Sequence, residues 1–163
     1  MAGLKCAQPF DQINGVATAY KTIWQLKAPT NQRVKLTAFR LGCMGVVTTD
    51  PPVLVRLLLQ TTAGTGGTAG TPVLTDRDAS ETIQSTTLLG PASGTWAATG
   101  GGTGAEPTAS TIFYTDSIHP QGRIPEMFFQ PEMWLKGGER VGLMVNVGSG
   151  AVNGFVGTIF WEE

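Results

Sequence analysis

The chain has 163 residues, 41% of them hydrophobic and only 14% charged, well below the roughly 25% charged share of an average globular protein. That length gives one domain able to bury a sizeable core. The formal net charge of -1 lacks the positive field that phosphate neutralisation needs, so direct nucleic-acid binding is not expected.

From the start, MAGLKCAQPFDQINGVATA over residues 1–19 has mixed polarity and no sustained period. It reads as an extended N-terminal arm, with Phe10 as its candidate contact residue. Fully extended it reaches about 60 Å, at about 3.3 Å per residue. It lacks the apolar stretch of a secretory signal. Residues 20–27 (YKTIWQLK) form a predicted strand that ends at the turn Ala28-Pro29-Thr30-Asn31. A longer strand follows over 33–47. Val34, Leu36 and Ala38 share one face, then Phe39, Leu41 and Cys43 continue on the other parity. That slip predicts a bulge near Ala38–Phe39.

Asp50-Pro51-Pro52 is a turn, and residues 53–61 alternate with apolar residues on both faces, as in a central strand. Residues 62–110 are rich in Gly, Thr, Ser and Ala and read as a loop-rich insertion, with short elements at 72–75 and 82–89. Trp96 is the large anchor of its second half. Further strands are predicted at 111–118, 127–130, 139–147 and 152–161. Gly148-Ser149-Gly150 joins the last two, so a hairpin is expected there.

Helical periodicity is nearly absent, because Gly, Pro or Thr clusters break every candidate window. The fold class is therefore all-β, an antiparallel β-sandwich, read as a jelly roll of about eight strands with a long Gly/Thr-rich loop region. Residues 20–163 form that single jelly-roll domain. No apolar run is long enough for a membrane span.

GTGGTA at 64–69 fits the G-x-G-x-x-G/A fingerprint of a dinucleotide-binding turn. Such a turn must open a helix that faces the pyrophosphate. Here Pro72-Val73-Leu74 begins another extended piece, and no Gly-Lys-Ser/Thr follows. The stretch is read as a flexible turn leaving a core strand. His119 is the only histidine, so a multi-histidine zinc or cupin site is excluded. TDRDASE (75–81) lacks the ligand spacing of a calcium loop, and Asp78 or Ser80 reads as the cap of a short helical turn at 80–87. Cys6 and Cys43 set neither a metal nor a disulfide framework, and Cys43 in LGCMGVV reads as a core thiol. No catalytic, cofactor-binding or metal-ligating set emerges, and the chain is not expected to be an enzyme.

The aromatic residues carry more information. Phe128, Phe129, Met133 and Trp134 crowd into PEMFFQPEMWLKGGE, interleaved with Pro125 and Pro131. Proline confines such a segment to an edge strand or a loop. An apolar edge needs a cover, and aromatic and Met residues are enriched in interface cores. Trp24, Phe128, Phe129 and Trp134 are therefore expected at subunit contacts or in the core that supports them, and Trp96 is a further candidate contact.

Several segments are similar to small decoration (cement) proteins of tailed-bacteriophage heads. They are WQLKAPTNQRVKLTAFRLGCMG (24–45), DPPVLVRLLLQTTAGTGG (50–67), GAEPT (104–108) and the ending PEMWLKGGERVGLMVNVGSGAVNGFVGTIFWEE. The resemblance implies a jelly-roll homotrimer on the outer capsid surface of the virion, made in the bacterial host cytoplasm. Its partner there is the major capsid protein, whose subunits it bridges. The alternative is a carbohydrate- or receptor-binding β-sandwich module of a phage spike or fibre, with Trp96 and the 93–110 loop as its candidate site.

Overall fold

Val53, Val55 and Leu57 are buried while Leu54 between them is exposed, the two-residue period that a pleated strand imposes. The computed structural model describes residues 3–15, 19–44, 51–75, 81–91, 96, 105–148 and 154–163. Among these residues the chain forms strands β1 (Lys5–Asn14), β2 (Lys21–Lys27), β3 (Val34–Met44), β4 (Val53–Gln60), β5 (Thr68–Ala69) and β6 (Val73–Leu74). They continue with β7 (Thr86–Leu89), β8 (Ala109–Ile118), β9 (Arg123–Leu135), β10 (Arg140–Asn146) and β11 (Gly154–Glu162). No described residue is helical.

The strands make two antiparallel sheets, ordered β6-β1-β11-β3-β9 and β5-β7-β2-β10-β4-β8. Without the three short strands, the four-stranded orders are β1-β11-β3-β9 and β2-β10-β4-β8. That is the interleaved connectivity of an eight-stranded jelly roll. Side chains from both inner faces fill the space between the sheets. Trp24 of β2 meets Trp161 of β11 with ring centroids 6.4 Å apart. Ile23, Leu26, Leu36, Phe39, Leu57, Val141, Leu143, Phe155 and Ile159 complete a continuous core. Each large apolar side chain buried there stabilises the fold by roughly 1.5–3 kcal/mol.

Three expectations need correction. Residues 5–14 are not a free arm. They form β1, which pairs with β11 from Lys5↔Glu162 to Asn14↔Gly154. Cys6, Phe10 and Ile13 enter the core. Mixed polarity had hidden this strand, because a bulge between Phe10 and Ile13 breaks its alternation.

Nor do the last two strands form a hairpin. β10 lies between β2 and β4, and β11 lies between β1 and β3. Both edges of each are occupied, so their connection crosses from one sheet to the other, as a jelly roll requires. The helical turn expected at 80–87 is also absent from its described part. Residues 81–85 are irregular, and Thr86 begins β7, which pairs with β2. The proposed caps Asp78 and Ser80 lie outside the described residues.

The bulge in β3 is real. Both neighbours skip Thr37, with Trp161↔Leu36 followed by Phe160↔Ala38, and Met133↔Leu36 followed by Phe128↔Ala38. One extra residue shifts the parity, so Ala38 and Phe39 are both buried. On β9 the same register leaves Phe129–Glu132 bulged out opposite Thr37.

The 62–110 insertion does more than connect. β5 and β7 extend one sheet and β6 extends the other. Among the described residues, Thr62, Trp96 and Glu106 bond to β2, while Gln84 and Ser85 bond to Glu163 at the end of the chain. Gln25 Nε2 donates to Gln60 Oε1 (2.7 Å) and to the carbonyl of Thr62 (2.9 Å), and Gln60 Nε2 donates to Thr22 Oγ1 (2.8 Å). Gly142 makes room, since a Cβ there would collide with the Gln60 amide. Lys21 donates from Nζ to the carbonyls of Asn14 (2.7 Å) and Pro91 (2.6 Å), tying the end of β1 to the insertion. The backbone N–H of Thr22 donates to Glu106 Oε1.

Candidate functional site

β8 and β9 end their respective sheets on the same side of the sandwich. Between them runs a groove of about 520 Å³, lined by Phe113 and Tyr114 of β8 and by residues 127–134 of β9. Its floor is anchored on Phe39 of β3. That ring meets Tyr114 edge-on at 5.7 Å and stacks on Phe129 at 6.0 Å. Met127 and Met133 pack against the same core. The rim is open: Phe128 is 65% exposed, Trp134 52% and Phe113 44%.

Strand alternation explains the division of labour on β9. Phe129 turns inward, while Phe128, paired with Ala38, turns to the outer face. Phe113 owes its position to a register shift. Leu57 pairs with Tyr114 and Leu58 with Ile112, which leaves Phe113 without a partner on β4.

The exposed rings are flanked by ion pairs. Lys35 Nζ lies 2.6 Å from Glu132 and 3.5 Å from Glu162, and 5.8 Å from the centroid of the Trp134 ring. Trp134 Nε1 donates to Glu132 Oε2 (3.2 Å). Arg40 pairs with Glu126 at 3.0 Å and sits 5.4 Å from the Phe160 ring. Hydrogen bonds from Lys35 and Trp134 hold the Glu132 carboxyl below its ordinary range. On β8, Tyr114 Oη donates to Asp116 Oδ2 (2.6 Å), lowering the Asp116 pKa. These contacts fix the rim in place, although exposed pairs of this kind contribute little to stability.

Of the residues singled out in the sequence, Phe128, Phe129 and Trp134 come together here. Trp24 is fully buried in the core beside Trp161. Phe10 is buried on β1 and so does not serve as an arm contact. Trp96 is also buried, and this corrects its candidacy as a sugar platform. Its indole lies over Gly64 and Gly67, where any Cβ would strike the ring, and Nε1 donates to the Thr22 carbonyl (2.9 Å). The GTGGTA run is thus the seat of a tryptophan. Gly66 adopts a positive φ of 84°, which glycine takes readily.

The sequence reading missed Phe113 and Ile112, both exposed on β8. The usable signal was ASTIFYTDSI itself, which is apolar on both parities yet carries no proline or lysine. His119 sits in an exposed turn, where Nδ1 accepts from the Gln121 N–H (3.1 Å). Among the described residues no helix is long and apolar enough to cross a membrane.

Fold and site together define a jelly-roll β-sandwich with an aromatic open edge. Comparison of the chain with protein-family models, with curated proteins and with solved structures finds no match in any of the three.

Proposed function

We propose that the protein is a non-enzymatic structural component of a bacteriophage virion. In this reading it decorates the outer capsid surface as a homotrimer and bridges subunits of the major capsid protein. The observation that carries it is the pair Phe128 and Trp134, two large aromatic side chains more than half exposed on one edge strand. A monomer in water gains nothing from that exposure, whereas a subunit contact would bury both rings and cover the edge. The sequence resemblance supplies the capsid as the setting. A trimer offers three equivalent attachment points, so modest contacts combine into tight binding. The contact surface is assigned to the β8–β9 side, with Phe129 supporting it from within, whereas Trp24 on β2 supports the core two strands away from β8.

Incubation of the purified protein with undecorated heads, followed by electron cryomicroscopy, tests this reading. Three-fold density on the outer surface is expected. Heads that stay bare at saturating protein would refute it.

One observation favours the alternative, a carbohydrate- or receptor-binding module. Trp134 stands on the groove rim beside Glu132 and Gln130, a ring face with polar groups at its border. Saturable binding of a defined glycan by the isolated protein, lost in Trp134→Ala, would support that module instead.

A further inference from the structure

The two edge strands on the open side are treated differently. β9 carries Pro125, Pro131, Glu126 and Glu132 and is broken by its bulge. These are the devices that keep an edge from pairing. β8 also shifts register against β4, at Phe113 and again between Ala109 and Ile112, but it lacks the prolines and carries a single carboxylate. Its ten residues, ASTIFYTDSI, include no proline and no cation, and Asp116 is the only charge. It pairs with β4 on one side only, and it is exposed along its length except at Tyr114 and Ile118. A strand laid along the free side of β8 would lie along the β8 wall of the groove, with Phe113 there to receive a side chain.

We propose that the free edge of β8 is a strand-addition site for an extended segment of a different polypeptide, apolar at alternate positions and cationic near one end. In strand addition, backbone hydrogen bonds supply affinity and side-chain pockets supply specificity. The inference rests on the trimer reading above. β8 pairing with β8 of a second copy is a two-fold contact, which does not close a three-fold ring. The other open edges among the described residues are β9, guarded by proline, and the two-residue β5 and β6. Copies of this chain therefore offer β8 no long described partner within a trimer, and a foreign strand remains. In a decorated head that strand belongs to the capsid subunit.

The cation follows from charge. Asp116 accepts from Tyr114 Oη and from the Ser117 N–H (2.7 Å), and no cation lies within ion-pair range of it among the described residues.

The test uses a short synthetic peptide of alternating valine and threonine that ends in lysine. Two controls accompany it, one N-methylated along one backbone edge and one ending in glutamate. Titration into the full-length protein, followed by amide hydrogen exchange, should show saturable binding with slowed exchange over Ala109–Ile118. The N-methylated peptide should lose binding, and the glutamate peptide should bind more weakly. Phe113→Lys and Thr115→Lys, both at exposed positions, should each abolish binding with the fold intact. Equal binding of the N-methylated peptide, protection elsewhere than β8, or no binding would overturn the proposal. So would a wild-type dimer that Thr115→Lys converts to monomers, since β8 would then pair with itself. If the peptide adds to β8 while heads stay bare, the capsid reading fails and the strand-addition site stands.

Discussion

Trp96 Nε1 donates to the main-chain carbonyl of Thr22 across 74 positions of sequence, at 2.9 Å. One indole thereby pins the glycine-rich insertion to the outer face of β2. Its ring fills the space that the missing side chains of Gly64 and Gly67 leave free.

Gly67→Ala and Trp96→Ala should both loosen this layer. Loss of the buried indole is expected to cost about 3–5 kcal/mol, read as a lowered urea midpoint. Gly154→Ala is the control, because its added Cβ would make only ordinary contacts with Asn14 and Met44. It should change the midpoint little.

Deletion of residues 1–15 removes β1 from between β6 and β11. The truncated chain should fail to fold, giving an aggregated product without a cooperative unfolding transition. Phe10→Ala in the full chain should cost about 3–5 kcal/mol. A soluble, folded truncation would return the segment to the role of a free arm.

The buried ammonium of Lys21 gives stability an unusual pH dependence. Desolvation lowers its pKa from 10.5 to about 8 in the fold, against a smaller opposing effect of Glu106. Between those two values the unfolded chain binds more protons, so stability rises with pH across that window. The thiols of Cys6 and Cys43 act in the opposite direction. Burial pushes both from 9.0 to about 12, so the stability they hold below 9 is lost as pH rises toward 12. The urea midpoint should therefore climb from pH 8 to 9 and then decline. Lys21→Met should abolish the climb while leaving the decline.

The two-residue period was plain in β4, β10 and β11 and carried through a slip in β3; with β2, bounded by its turn, each was placed to within a few residues. That set was enough for a sandwich. β1 escaped because its bulge and its Gln, Asp and Asn residues mask an inward face made by Cys6, Phe10 and Ile13. The supposed hairpin at 148–150 shows a different gap. Local turn chemistry cannot report that both edges of β10 are already taken, which depends on pairing with β2 and β4 far away in sequence. At the site, proline marked β9 as an edge, so Phe128 and Trp134 were legible. Phe113 was not, since its exposure follows from a register shift against β4. Trp96 stood out as an anchor, but its burial depends on two glycines about thirty positions earlier.

The central claim is that the aromatic edge formed by Phe128 and Trp134 is a subunit contact. Light scattering on the wild type and on the double variant Phe128→Ser, Trp134→Ser tests it most directly. The account predicts a trimer for the wild type, and a monomer with an unchanged unfolding midpoint for the variant. A monomeric wild type, or a variant that remains trimeric, would contradict it.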